Sequence, residues 1–150
     1  MSQSLIRAYV HIVFSTKHRL PLINSKIEPE LHRYIGGICK RMEFQPLIVG
    51  GYTDHIHILC TLSKKTPLSN LLEEVKSHSS KWMKTKDEQF KNFYWQDGYG
   101  AFSISHTHIE QTKRYIENQH AHHDQQTFQR EYVELLETNG VEFEEKYLWD

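Results

Sequence analysis

The chain has 150 residues, of which 38% are apolar, 12% aromatic and 25% charged. This composition is typical of one folded globular domain and excludes disorder for most of the chain. Two cysteines are too few for a disulfide framework, Met1–Tyr9 lacks a signal-peptide pattern, and no apolar run approaches the roughly 20 residues of a membrane span. We therefore expect a cytoplasmic protein with reduced thiols and no membrane association.

The net charge of −1 conceals an uneven distribution of charge along the chain. Residues 131–150 contain seven acidic residues and one basic residue, a net charge of −6, whereas residues 1–130 contain 17 basic and 12 acidic residues, a net charge of +5. A mildly basic body suits a polyanionic partner. The division predicts a functional domain over residues 1–130 and an acidic C-terminal extension over residues 131–150, packed on the same domain.

The first half of the chain predicts a strand, a helix and two further strands. Leu5–Thr16 is rich in β-branched and aromatic residues, which favours a strand. Apolar residues across Ile27–Met42 recur at the spacing of an amphipathic helix. Pro46–Tyr52 and Asp54–Leu62 are two short strand-like runs, and they are joined so closely that a hairpin is expected.

The second half predicts a helix, a strand and two more helices. A second amphipathic helix begins at Pro67, Phe93–Ser105 is typical of an irregular strand, and helices are expected over Thr107–His122 and Gln125–Glu137. The order strand, helix, strand, strand, helix, strand is that of a ferredoxin-like α+β sandwich, an antiparallel sheet with helices on one face. The last two helices form a helical extension of this fold.

The first candidate site lies in the predicted strand Asp54–Leu62. Alternate side chains of a strand share a face, so His55 and His57 point the same way, about 6–7 Å apart along the backbone. Two imidazoles at that spacing can hold one divalent cation. A strand with two half-exposed histidines fits the same pattern, so the pair needs support from elsewhere in the chain.

The second candidate site lies in the predicted helix Thr107–His122. Ile109 and Ile116 lie within about 20° of each other on a helical wheel and define its buried stripe. Tyr115 lies about 120° from Ile109, on the side that also carries Gln119. A tyrosine that serves packing would normally occupy the apolar stripe, although a partly exposed tyrosine that caps the core is an open alternative.

The two candidate sites together indicate phosphoryl chemistry. A phenol with a pKa near 10 is a poor nucleophile at neutral pH, but it becomes useful when a metal neutralises the charge on a phosphoryl oxygen. The imidazoles of His55 and His57 and the amide oxygen of Gln119 would supply three ligands and leave positions open for phosphate oxygens or water. Tyr115, one turn from Gln119, could then reach the phosphorus and store the bond energy in a phosphotyrosine linkage.

These motifs resemble the single-tyrosine insertion-sequence transposases of the HUH endonuclease superfamily, close relatives of the REP-associated tyrosine transposases. The resemblance rests on His11–Lys17, Asp54–His57 and Tyr115–Gln119, which occur in the order and spacing of that family. Trp95–Ser103 is similar to the family's last strand. In all, the resemblance covers roughly Ala8–His123.

The resemblance implies a metal-dependent enzyme that cuts and rejoins single-stranded DNA. His55, His57 and Gln119 would hold Mg²⁺ or Mn²⁺, and Tyr115 would form a 5′-phosphotyrosine and release a free 3′-OH. It also implies DNA hairpins as targets and an obligate homodimer with composite active sites, in which one subunit's tyrosine helix completes the histidine pair of the other. Because imidazoles are softer ligands than Mg²⁺ prefers, we expect Mn²⁺, Co²⁺ or Zn²⁺ to bind more tightly.

Several basic residues are candidates for contacts with DNA phosphates. They are Lys17, His18 and Arg19 after the first strand, and Lys76, Lys81 and Lys84 on the second helix. Charged helix faces are, however, usually only solvated. The cluster His120, His122 and His123 resembles a second metal site, but its position at a helix end, where imidazolium suits the helix dipole, favours a structural interpretation.

Two other functions remain open from the sequence. The same chemistry could serve a domesticated nuclease that processes chromosomal palindromes, which the sequence does not separate from a mobile transposase. A non-catalytic module could instead stack bases on aromatic residues of the sheet such as Tyr9, Phe14 and Tyr52. The module lacks support, because no RNP-like aromatic run is present and a binder does not need two histidines, a glutamine and a tyrosine together.

Overall fold

The computed structural model describes residues 2–149. Four antiparallel strands form one sheet in the order β2–β3–β1–β4; they are β1 (Tyr9–Ser15), β2 (Pro46–Tyr52), β3 (His55–Thr61) and β4 (Gly100–Ile104). The helices are α1 (Glu28–Arg41), α2 (Leu68–Lys84), α3 (Ile109–Glu117), α4 (Gln119–His123) and α5 (Phe128–Thr138). None of these helices is long and apolar enough to cross a membrane. The strand order confirms the predicted ferredoxin-like sandwich with a helical extension.

One face of the sheet carries the main core. Ile12 and Phe14 of β1 and Ile56 of β3 point to this face and pack against Leu31 of α1 and Leu71 of α2. Since strand side chains alternate, the residues between them point to the opposite face, which therefore receives the histidines of β1 and β3.

The opposite face is covered by the helices that follow β4. The apolar stripe predicted for the tyrosine helix is confirmed, because Ile109 and Ile116 of α3 are buried against Leu59 of β3. In the same way, Phe128 of α5 packs near Val13 of β1. The face that carries the histidines is therefore enclosed between the sheet, α3 and α5.

Glycine at position 50 allows α3 to lie close to β2. A Cβ atom added to Gly50 would lie 2.6 Å from Cγ2 and 3.1 Å from the carbonyl oxygen of Ile116. Any larger residue would push α3 away from the sheet, and Tyr115 with it.

The predicted boundaries differ from the structure in several places. The predicted strand Leu5–Thr16 begins only at Tyr9: before it, the carbonyl oxygen of Ala8 accepts one hydrogen bond from the N–H of Leu62, and Leu5 is 86% exposed. The expected strand Phe93–Ser105 is regular only in β4, and Trp95 contributes an isolated bridge to Thr16.

The predicted helix Thr107–His122 is divided at Asn118, whose φ of −94° and ψ of 16° interrupt the helix between α3 and α4. The predicted boundary between residues 130 and 131 falls inside α5. This helix is continuous because Phe128, Tyr132 and Leu136 form one buried apolar stripe across the boundary.

Candidate metal and tyrosine site

His55 and His57 lie on the same face of β3, as their alternation predicts, and both are fully buried. Nδ1 of His55 lies 2.7 Å from Oδ1 of Asp54, and Nδ1 of His57 lies 2.7 Å from Nε2 of His11. These contacts hold both rings with Nε2 turned toward the region between the sheet, α3 and α5. Such partners on the second ring nitrogen are typical of metal-binding histidines, because they fix the tautomer and the ring orientation.

His11 is a supporting residue that the sequence analysis named only as part of a motif. Burial, with a further contribution from His57, lowers the pKa of His11 to about 3, so this imidazole is neutral near pH 7. Nε2 of a neutral His11 can accept a hydrogen bond from the Nδ1–H of His57, which leaves Nε2 of His57 with its lone pair. The signal available in the sequence was a histidine on an otherwise apolar strand.

The carboxylate of Glu131 on α5 lies at the centre of the site and is 1% exposed. Its Oε1 lies 2.8 Å from Nε2 of His123, 3.3 Å from Nε2 of His55 and 3.4 Å from Nε2 of His57. Its Oε2 accepts hydrogen bonds from the hydroxyl of Tyr115 and, at 2.8 Å, from Nε2 of Gln119. One side chain thus joins all four residues that the sequence analysis selected.

Glu131 belongs to the acidic extension, for which the sequence analysis expected only a packed helix. A signal for it exists in the sequence: Glu131 follows Phe128 by three residues and precedes Leu135 by four, so it occupies an apolar position of the helix. A carboxylate that is buried at such a position needs hydrogen-bond donors or a cation beside it.

Burial and hydrogen bonds act in opposite directions on the pKa values of the ionisable groups in the site. Burial opposes ionisation of Glu131, yet hydrogen bonds from His123 and His55, together with the charge interaction with the nearby ring of His57, hold its pKa well below the usual range. Burial would lower the pKa of His55, but hydrogen bonds to Asp54 and Glu131 raise it to about 9. Burial keeps the pKa of His57 below its usual value. The site therefore combines a carboxylate, a cationic imidazole and a neutral imidazole.

Tyr115 and Gln119 approach the histidines from α3 and α4 of the same chain. Oε1 of Gln119 accepts a hydrogen bond of 2.7 Å from Nε2 of His55. Burial and the neighbouring Glu131 carboxylate raise the pKa of Tyr115, so its phenol is protonated at neutral pH and donates to Glu131. The structure brings together the four predicted residues, while their catalytic and metal-binding roles stay predictions.

The donor set of the site suits a divalent cation. Nε2 of His57 is buried and has no hydrogen-bond partner within residues 2–149. One ligand atom from each of His55, His57 and Glu131 lies within 4.8 Å of the others. Imidazole nitrogens with a carboxylate oxygen match the preferences of Mn²⁺, Zn²⁺ and related ions. The residues therefore fit the predicted metal, with Glu131 added to the expected ligands.

An open cleft of about 550 Å³ adjoins this site at Asp54 and His123. It is lined by the predicted DNA-contact residues His18 and Arg19, and by Tyr52, Asp54 and His123 among others. Both predicted contact residues adopt the left-handed backbone region, with φ of 59° and 55°, which is uncommon for residues other than glycine. The structure thus places part of the predicted DNA surface beside the histidines.

The other predicted DNA contacts lie elsewhere. Lys17 is exposed in the turn after β1, whereas Lys76, Lys81 and Lys84 lie on α2, across the sheet from His55. The ammonium of Lys76 donates to the carbonyl oxygens of residues 96, 97 and 98, and that of Lys84 donates to the carbonyl oxygen of residue 93. These two lysines therefore hold the segment before β4, and their contact with DNA stays a prediction.

Comparison with known proteins gives a consistent result. The model of the family described as IS200-like transposases matches residues 4–119. A crystal structure described as a transposase from Deinococcus radiodurans R1 is 18% identical, with a TM-score of 0.62 over 79% of this chain and 98% of its own. A REP-associated tyrosine transposase bound to a REP hairpin is 14% identical, with a TM-score of 0.53 over 77% of this chain and 67% of its own. None of the curated proteins compared with the chain matches it.

Proposed function

The chain belongs to the IS200-like transposase family, a family of DNA-processing enzymes, and from this premise we propose that it cuts and rejoins single-stranded DNA through Tyr115. One observation carries the proposal: the hydroxyl of Tyr115 and Nε2 of both His55 and His57 meet at the two oxygens of one buried carboxylate. A nucleophile and the candidate metal ligands thus lie within reach of the same phosphate group.

The proposed reaction is a phosphoryl transfer in two steps. The hydroxyl oxygen of Tyr115 forms a bond to the phosphorus while the bond from phosphorus to the 3′ oxygen breaks, and the 3′ oxygen leaves as a free 3′-OH. The phenol gives its proton to the nearest acceptor, Oε2 of Glu131, and the departing 3′ oxygen takes up one proton in exchange, so that no net proton is gained or lost. In the second step a 3′-OH attacks the 5′-phosphotyrosine and releases Tyr115, so the strand is rejoined without another energy source.

The metal ligands of the proposal are His55, His57, Gln119 and Glu131, and the ion in use is Mg²⁺ or Mn²⁺. When bound, the ion would neutralise the charge on a phosphoryl oxygen. The protein positions its ligands through Asp54 on Nδ1 of His55 and through the hydrogen bond from Gln119 to Glu131. Enclosure between the sheet, α3 and α5 excludes water from the histidines, which strengthens these interactions.

The cleft beside the site is the proposed path of the DNA strand. Arg19 supplies positive charge at its edge, His18 lies beside it, and the ring of Tyr52 offers a surface for a base. The similarity to a transposase bound to a REP hairpin supports hairpin DNA as the substrate. Cytoplasmic location and a homodimer stay predictions from the sequence. In place of the composite sites that the resemblance implies, we propose a site within one chain, because Tyr115 approaches His55 and His57 of its own chain.

The non-catalytic binding module finds less support in this fold. The side chain of Phe14 lies in the main core below α1 and α2, and the opposite sheet face is covered by α3 and α5. Neither face offers the open aromatic platform on which such modules stack bases. A domesticated nuclease would use the same site as a mobile transposase.

The test is a covalent adduct on a denaturing gel. We would incubate the protein and Mn²⁺ with a pool of 3′-labelled oligonucleotides that carry a hairpin stem and randomised single-stranded flanks. The wild-type protein should retain the label, and Tyr115→Phe should retain none while it still binds DNA. Tyr147→Phe, whose ring is 66% exposed, is the matched control and should form the adduct. An adduct that persists in Tyr115→Phe would exclude this nucleophile.

A further inference from the structure

A second group of histidines adjoins the site described above. His122 and His123 of α4 turn toward Glu131, because the break at Asn118 redirects the chain between α3 and α4. His120, which belongs to the same run in the sequence, instead points outward and lies 2.9 Å from the carboxylate of Glu28. The run therefore separates into one surface histidine and two that face the buried carboxylate.

The distances among these groups are those of ligands around a cation. Nε2 of His123 lies 2.8 Å from Oε1 of Glu131, and Nε2 of His122 lies 3.8 Å from Oε2. All three ligand atoms lie within 4.8 Å of one another. Two ligands at about 2.1 Å from a metal are about 3 to 4 Å apart, so small side-chain movements would enclose an ion.

The contacts of the two histidines direct both Nε2 atoms toward the carboxylate of Glu131. Nδ1 of His123 lies 2.6 Å from the carbonyl oxygen of Gln126 and donates to it, so the ring is held with Nε2 directed at Oε1 of Glu131. The side chain of His123 is 2% exposed. Nε2 of His122 is buried and has no hydrogen-bond partner in the described part of the chain. One buried ring is thus oriented like a metal ligand, and its neighbour has a vacant nitrogen.

We propose that His122, His123 and Glu131 form a second divalent-metal position, adjacent to that of His55 and His57, with the Glu131 carboxylate shared between the two. The ligand set of two imidazoles and one carboxylate favours a transition ion such as Zn²⁺ or Mn²⁺ over Mg²⁺. Oε2, which faces His122, also accepts the hydrogen bond from Tyr115. A cation at this position would lie on the tyrosine side of the carboxylate, and the first position on the side of the strand histidines.

The shared carboxylate gives the proposal its physical basis. A carboxylate has two oxygens and about four acceptor sites, so one group can bind two cations. Glu131 is already approached by four histidines, at 2.8 to 3.8 Å. Four imidazoles exceed what one ion needs when the ion must also leave room for a phosphate.

The test is the number of ions bound per chain, measured without DNA. The full chain would be dialysed against Zn²⁺ alone, and separately against Mn²⁺ alone, and bound metal quantified by mass spectrometry. Wild-type protein should bind two ions and His122→Gln one, with affinity for the second ion reduced about tenfold or more. Because the side chain of His122 is 35% exposed, the variant should fold, and its circular dichroism spectrum would verify this.

Two further variants separate this proposal from the proposed function. His120→Gln is the matched control, since His120 lies in the same helix but faces Glu28, and it should still bind two ions. His57→Ala should keep one ion, held by His122 and His123. One ion in the wild-type protein, or two in His122→Gln, would overturn the second position. These counts do not depend on whether Tyr115 forms an adduct with DNA.

Discussion

The substitution Glu131→Gln tests the role of the buried carboxylate in holding the site together. The change preserves shape but removes the charge and replaces one acceptor oxygen by a donor. An amide oxygen in the place of Oε2 could still accept from Tyr115 and Gln119. The new NH₂ group would then face Nε2 of His123, now 2.8 Å from Oε1, and would leave the cationic His55 without its central partner.

The expected cost follows from these contacts. A hydrogen bond to a charged group contributes about 1.5–3 kcal/mol, and removal of one partner from a buried ion pair costs about 3–5 kcal/mol. Because Glu131 is 1% exposed, little of this cost is relieved by water. We expect the free energy of unfolding of metal-free Glu131→Gln to fall by about 3–5 kcal/mol at pH 7.

Urea unfolding in the presence of a chelator measures this difference. Glu134→Gln is the matched control, because Glu134 lies on the same helix with an exposed side chain, and surface substitutions change stability by less than about 0.5 kcal/mol. If Glu131→Gln were as stable as Glu134→Gln, the carboxylate would not hold the histidines and the account of the site's charges would be refuted.

Three other predictions follow from the fold and the site. The pKa of His11 is about 3 in the folded chain and about 6.5 when unfolded, so the unfolded state binds more protons below pH 6.5. Between pH 7 and pH 5, the free energy of unfolding should therefore fall by about 2 kcal/mol more in the wild type than in His11→Asn. Equal pH dependence of the two proteins would contradict this. Gly50→Ala, through its contact with Ile116, should cost about 1–3 kcal/mol in urea unfolding and reduce the Tyr115 adduct, whereas wild-type stability would disprove the close packing. In gel assays, a mixture of Tyr115→Phe and His57→Ala chains should form no adduct, since one chain supplies both groups; restored activity would instead establish composite sites.

The strand part of the site could be predicted because its geometry is local. Alternation along a strand places His55 and His57 on one face whatever the rest of the fold does. Helical periodicity likewise separates Tyr115 from the apolar stripe of Ile109 and Ile116. Each inference uses only a few consecutive residues and the periodicity of a strand or a helix, and the structure agrees with both inferences.

The contributions of α4 and α5 could not be predicted, because they depend on contacts between segments far apart in sequence. The sequence predicts that the segment of Glu131 packs on the domain, but not that packing of Phe128 and Tyr132 carries this side chain to the histidines of β3. His122 and His123 face the site because of the break at Asn118. Lys76 has the sequence environment of a surface cation, but the loop before β4 folds onto it.

The central claim is that one chain brings the hydroxyl of Tyr115 and Nε2 of His55 and His57 to a common cation. A crystal structure grown with Mn²⁺, with the ion located by its anomalous scattering, tests this claim directly. We predict a peak about 2.1 Å from both Nε2 atoms, with the hydroxyl of Tyr115 from the same chain on the same side of the sheet. A peak remote from the two histidines, or Tyr115 of that chain turned away from them, would contradict the account.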